Sequence, residues 1–168
     1  LARPFPGSYW VVPGRLLAGE YPGSLLLHEA SSKIRSLLNL GIDTFIDLTL
    51  DDALAPYEPV LRMEANRQEK TYLYLKMGFR DVSVPSRGMM KRILDTIDDA
   101  LDDGHNVYVH CWGGIGRTGT VISCYLARHG VSSSAVLSEI ARLRGVVPDR
   151  QPSPETNQQR WMVTNWQA

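Results

Sequence analysis

An α/β domain with a central, mostly parallel sheet flanked by helices is the fold class this sequence predicts, and three observations predict it. Short apolar, β-prone segments recur at residues 44–48, 71–75 and 106–110. Segments with an apolar stripe at helical spacing separate them, at residues 25–40 and from residue 86 to about residue 101. Three further helical segments follow the last strand. Strands alternating with helices need crossover connections, and those make a parallel sheet covered on both faces.

The elements follow in order. Residues 1–23, rich in Pro and Gly, read as an extended arm or small edge hairpin packed on the domain, with β-type pieces at 9–12 and 16–18. Residues 25–40 place Leu27, Ala30, Ile34, Leu37 and Leu38 on one helical face, and Gly41 stops the helix. A buried strand follows at 44–48, then a loop with some helix over 51–70, then a strand at 71–75. Residues 78–86 form a loop. Ser86 caps a helix whose stripe is Met90, Ile93, Leu94, Ile97, Ala100 and Leu101, ended by Asp102, Asp103 and Gly104. After the strand at 106–110 and a glycine-rich turn, Val121, Ile122, Tyr125 and Leu126 mark a helix stopped at His129 and Gly130. Residues 132–144 give another, and Ser153-Pro154-Glu155 begins the last with Pro at its first position.

The chain has 168 residues, enough for a single domain with one sizeable core. Lys+Arg and Asp+Glu both number 18, so the zero net charge gives no support to a nucleic-acid or membrane-surface partner. No apolar run approaches the roughly 18 residues a bilayer requires. The first residues lack the charged leader and apolar core of a secretory signal. The two cysteines, Cys111 and Cys124, are too few for a disulfide scaffold and fit no zinc spacing. A monomer in a reducing, cytoplasmic setting is therefore expected, with no cofactor and no metal.

The chemistry concentrates in HCWGGIGRTGT, residues 110–120, between a strand and a helix. There successive backbone N–H groups and the helix N-terminus make a cradle of phosphate size. Gly113, Gly114, Gly116 and Gly119 permit the tight backbone it needs. Trp112, Gly113, Gly114, Ile115, Gly116 and Arg117 are the expected phosphate-binding residues. Arg117 offers a planar, permanently charged fork for two phosphate oxygens. The same surroundings favour the charged form of the Cys111 thiol, and Thr118 is placed to donate a hydroxyl hydrogen bond to it. His110 shapes the loop through a backbone hydrogen bond. A thiolate beneath a phosphate is placed for in-line attack on phosphorus.

The stretch HCWGGIGRTG resembles the His-Cys-x5-Arg-Ser/Thr-Gly signature of the cysteine-dependent protein phosphatases, and its glycines look most like the compact dual-specificity branch. The resemblance covers roughly residues 45–166 and implies a protein-tyrosine-phosphatase-like fold. It also implies a general acid on a loop about thirty positions before the cysteine. In GFRDVSVPS, Asp81 stands thirty residues before Cys111, which makes it the expected acid. Its competitors are Asp47, inside a strand, and Asp51 and Asp52, further upstream. Asp95, Asp98 and Asp99 read as the solvated side of a helix. Phe79-Arg80 replaces the Trp-Pro that precedes the acid in the tyrosine-specific branch. That branch also positions a water with a late-loop Gln, where this chain holds Glu155, with Gln159 one helical turn on.

None of the five residues between Cys111 and Arg117 is charged. Relatives acting on inositol phosphates tend to carry basic residues there, so a singly phosphorylated protein side chain is the expected substrate: phosphotyrosine, with phosphoserine or phosphothreonine open. Arg80 and Arg150 are weak hints of positive charge at the rim. The same chemistry on a phosphoinositide or another small phosphate, and an inactive phosphate-binding module, are the alternatives. Cys124 reads as core, His28, His105 and His129 as surface or caps, and Trp10, Trp161 and Trp166 as packing anchors.

Overall fold

The computed structural model describes residues 1–50 and 55–167. Five strands form one sheet: β1 (Ser8–Val12), β2 (Leu16–Gly19), β3 (Thr44–Asp47), β4 (Leu73–Lys76) and β5 (Val107–His110), in the order β1-β2-β5-β3-β4. Only β1 runs antiparallel; β2, β5, β3 and β4 are mutually parallel. The helices are α1 (Leu27–Asn39), α2 (Glu58–Arg67), α3 (Arg87–Asp102), α4 (Arg117–Arg128), α5 (Val136–Leu143) and α6 (Asn157–Thr164).

Strand periodicity divides the core into two layers. Leu16, Ala18, Ile46, Val107 and Val109 face α3, α4, α5 and α6. Leu17, Phe45 and Tyr108 point the other way, onto Ile34, Leu37 and Leu38 of α1 and Leu61 of α2. Each fully buried aliphatic side chain contributes about 1.5–3 kcal/mol relative to exposure. Helix α3 shows how local sequence sets an element. Met90, Ile93, Leu94, Ile97 and Ala100 are its buried stripe, and the Ser86 hydroxyl accepts from the Met89 N–H at 3.0 Å, a cap worth about 1 kcal/mol.

Four expectations need correction. Of the two expectations for residues 1–23 the hairpin holds and the extended arm does not: β1 and β2 pair antiparallel, and β2 lies inside the sheet between β1 and β5 with Leu16, Leu17 and Ala18 wholly buried. Leu27 opens α1 but is exposed, because the face of Ala30, Ile34 and Leu37 already meets the sheet. Helix α6 starts three residues after Pro154, since the Thr156 hydroxyl accepts from the Gln159 N–H and the Gln159 side chain caps in return. Trp161, expected as a packing anchor, is 65% exposed, whereas Trp166 is buried. Asp51 and Asp52 lie outside the described residues.

The parallel strands end together, so the segments leaving β2, β3, β4 and β5 share one rim, where ligands bind in sheets of this kind. Strand β5 is central there, and Cys111 is the first residue beyond it.

Candidate active site

Residues 111–116 link β5 to α4, and neighbouring segments hold them in shape. Trp112 O accepts from the Tyr21 N–H at 2.9 Å, and Ile115 O accepts from the Ser153 hydroxyl at 2.6 Å. Gly116 O takes both the N–H and the hydroxyl of Thr120, at 2.9 and 2.7 Å. Two glycines are required by close approach. Gly114 has φ +73°, and a Cβ there would lie 2.6 Å from the Gly19 carbonyl carbon; one on Gly119 would lie 2.0 Å from Ser153 Oγ. While these three carbonyls are engaged, the N–H groups of residues 112–116 donate to no acceptor among the described residues.

Arg117 is the first residue of α4 and is fully buried. Its Nη1 donates to Phe79 O at 3.3 Å, and its Nε lies 3.4 Å from Asp81 Oδ1. Asp81 arrives on the segment leaving β4. Gly78 lets that segment cross the exit of β3, where a Cβ would stand 2.1 Å from Thr49 O, and the Phe79 N–H bonds to Leu48 O at 3.2 Å. Asp81 Oδ1 also accepts from the Val82 N–H at 2.9 Å, and its side chain is 54% exposed. Cys111, Arg117 and Asp81 thus share the rim, an exposed carboxylate beside a buried guanidinium.

Beneath the loop, His110 is buried. Its Nδ1 lies 3.1 Å from Cys111 O, which can only accept, so Nδ1 carries the proton. Nε2, 2.6 Å from the Tyr57 hydroxyl, is then the acceptor. Burial pushes the imidazole down to about 4, although Asp47 pulls the other way. Tyr57 is held above the ordinary phenol range by burial and stays a donor. Burial alone would raise the Asp47 carboxyl; His110 and hydrogen bonds from Thr49 and Tyr74 outweigh it and hold the group low. Asp47 Oδ1 accepts from the Thr49 hydroxyl at 2.6 Å and Oδ2 from the Tyr74 hydroxyl at 2.6 Å. It is a buried structural acceptor, not a second acid. Asp95 and Asp98 pair with Arg128 on α4, away from the rim.

Thr118 departs from expectation: its buried hydroxyl makes no hydrogen bond among the described residues, Cys111 included. Trp112 is 44% exposed, its ring 5.5 Å from that of Tyr21. Cys124 is core, its thiol pushed up to about 12 by burial. Sequence reasoning missed Tyr57 and Ser153. Neither carried a local signal, because their contacts span 53 and 38 positions. Among the described residues, no group of His, Cys, Asp or Glu is arranged to hold a metal ion.

A family model described as PTP-SAK, the Swiss Army Knife protein DSP-PTPase phosphatase domain, matches residues 6–163. The chain belongs to that family. The chain is 45% identical over 129 residues to the human dual specificity protein phosphatase CDC14C. It is 34% identical over 131 residues to mouse protein tyrosine phosphatase domain-containing protein 1. Each match covers 71% of this chain but only 26% and 16% of the relative, so the domain spans about a quarter or less of those two proteins. The fold is similar to that of Tk-PTP, with TM-score 0.69, 23% identity and coverage of 95% and 94% of the two chains. It is also similar to PTPMT1 solved with PI(5)P, with TM-score 0.66, 17% identity and coverage of 92–93%. The fold is α/β and protein-tyrosine-phosphatase-like, and the family the chain belongs to is that of the compact, dual-specificity-like cysteine phosphatases.

Proposed function

We propose that this domain hydrolyses phosphomonoesters on proteins through a phosphocysteine intermediate, without a metal. The observation that carries the reading is the run of N–H groups at residues 112–116, unclaimed by acceptors among the described residues and bounded by Cys111 and the buried Arg117. Those donors and the guanidinium supply the charge stabilisation that the three peripheral oxygens of a transferring phosphoryl group require. The Cys111 sulfur attacks phosphorus in line, and the bond from phosphorus to the leaving oxygen breaks. Asp81 gives its proton to that oxygen. Asp81, now a carboxylate, takes a proton from water as the water attacks phosphorus, the S–P bond breaks, and inorganic phosphate leaves with the thiolate restored.

Two features support a protein substrate. The loop between Cys111 and Arg117 carries no basic side chain for a second phosphate. A cleft of about 460 Å³ opens beside Trp112 and Gly113, with Tyr21, Leu25, Leu26 and Ala55 among its walls. Such a cleft suits the residues flanking a phosphorylated side chain. The named activities of the relatives, dual specificity protein phosphatases, favour the same class.

The test is hydrolysis with EDTA present, comparing phosphotyrosine, phosphoserine and phosphothreonine peptides with a short-chain phosphoinositide. Preference for the peptides by kcat/KM supports the reading. Preference for the phosphoinositide reassigns the substrate, and binding of phosphate without any turnover makes the domain a recognition module.

A further inference from the structure

Gln159 is wholly buried, and its side-chain amide joins three segments. Its Oε1 accepts from the N–H groups of Glu155 and Thr156, at 3.0 and 3.1 Å. Two donors on the oxygen fix which end of the amide is which. The other end, Nε2, donates to Ser83 O at 3.0 Å, two residues beyond Asp81. The same amide underlies the phosphate loop: a Cβ on Gly116 would lie 3.2 Å from Nε2 and 3.3 Å from Oε1.

The acid loop needs a tether. Val82 has φ +54°, a backbone region that β-branched residues rarely adopt and that persists only where the surroundings impose it. Leu48 and Arg117 hold the start of the loop at Phe79; further along, among the described residues, Asp81 pairs with Arg117 and Ser83 O accepts from Gln159. A phosphate seated on Arg117 competes with Asp81 for the guanidinium, so the Asp81 contact weakens when substrate binds. The Gln159 contact does not involve the phosphate.

We infer that Gln159 is a positioning residue that holds the acid loop over the bound phosphate through Ser83 and so controls proton delivery from Asp81 to the leaving oxygen. The inference rests on the proposed role of Asp81. It assigns to Gln159 a task different from placing the hydrolytic water: Gln159 acts on the step that breaks the ester, not on the step that breaks phosphocysteine.

The test uses Gln159→Glu and Gln159→Met. Glutamate keeps an acceptor for the Glu155 and Thr156 N–H groups, as in a capping box, and replaces the donor to Ser83 with a carboxylate oxygen; methionine removes the donor and the acceptor without adding charge. Turnover of phenyl phosphate, whose leaving oxygen needs a proton, is divided by turnover of p-nitrophenyl phosphate, whose leaving oxygen needs little. The ratio cancels any change in phosphate binding that the new charge causes. Both variants should lower it by roughly two- to tenfold, the worth of one lost hydrogen bond. Trypsin cleavage after the exposed Arg80, which requires no activity, should accelerate by a similar factor in both. An unchanged ratio with unchanged cleavage would reduce Gln159 to a helix cap. A rate loss equal for both substrates, with a burst of nitrophenol, would make it a water-positioning group instead. If the unmodified domain turns over neither substrate, the proposed function fails, and unaltered Arg80 cleavage in the variants would separately overturn the tether.

Discussion

Asp81 and Arg117 meet at 3.4 Å although all of α3 and β5 separates them in sequence. The pair couples a half-exposed carboxylate to a fully buried guanidinium, and in the proposed reaction the substrate phosphate competes for the same cation. Replacing the acid separates its two roles. Asp81→Asn should lower turnover of phenyl phosphate by ~10²–10⁴, the usual worth of general acid catalysis, and turnover of p-nitrophenyl phosphate by less. Steady-state kinetics on both substrates checks this.

Arg117→Lys should not behave conservatively. A lysine keeps the charge but loses the planar fork and the reach to both Phe79 O and Asp81. We expect kcat/KM to fall by about 10²-fold or more on any phosphomonoester, with tungstate or vanadate affinity falling in parallel, measured by inhibition.

The loop's support by Ser153 can be isolated genetically. Gly119→Ala drives a methyl group into Ser153 Oγ and disrupts its bond to Ile115 O. It should cost about 1–3 kcal/mol in urea denaturation and reduce activity. Adding Ser153→Ala removes the clashing hydroxyl. The double variant should therefore be more stable than the sum of the single effects predicts, by about 1 kcal/mol.

Stability should fall as pH falls from about 6.5 to about 4. In the unfolded chain His110 takes up its proton near 6.5; in the folded domain burial delays this to about 4. Between those values the unfolded state binds more protons, so stability rises with pH. Asp47, whose folded carboxyl is held low, contributes stability above the unfolded value and loses it only at still lower pH. Urea midpoints between pH 7 and 4 should decline in the unmodified domain and flatten in His110→Asn, whose neutral side chain does not titrate.

The two cysteines should react differently. Burial in α4 pushes the Cys124 thiol up to about 12, which leaves it unreactive at neutral pH. Iodoacetate should inactivate the domain with one label, on Cys111, and phosphate should protect against it. Peptide mapping by mass spectrometry reads both.

Much of this site is legible in sequence because its chemistry is carried by local order. Cys111, the glycines and Arg117 sit in one strand-turn-helix unit, and the stripe from Met90 to Ala100 with its Ser86 cap reads directly as α3. The parallel sheet then delivers Asp81 to the same rim. What is not legible depends on distant packing. Gln159 reaches Ser83 across 76 positions and Tyr57 reaches His110 across 53, and neither residue type announces a partner. Leu27 and Trp161 have the composition of core positions, but exposure depends on which helical face meets the sheet. Pro154 fits a helix start as well as a loop; the Thr156–Gln159 box decides between them. Thr118 follows the pattern of a thiol partner, while its buried hydroxyl bonds to none of the described residues.

The most direct test of the central claim is acid quenching of the domain during turnover of p-nitrophenyl phosphate with EDTA present, followed by mass spectrometry of its peptides. Asp81→Asn, which slows breakdown of the intermediate, gives the clearest signal. The account predicts one phosphoryl group on the sulfur of Cys111, absent from Cys111→Ser. A phosphoryl group on another residue, or turnover that persists in Cys111→Ser, would contradict it.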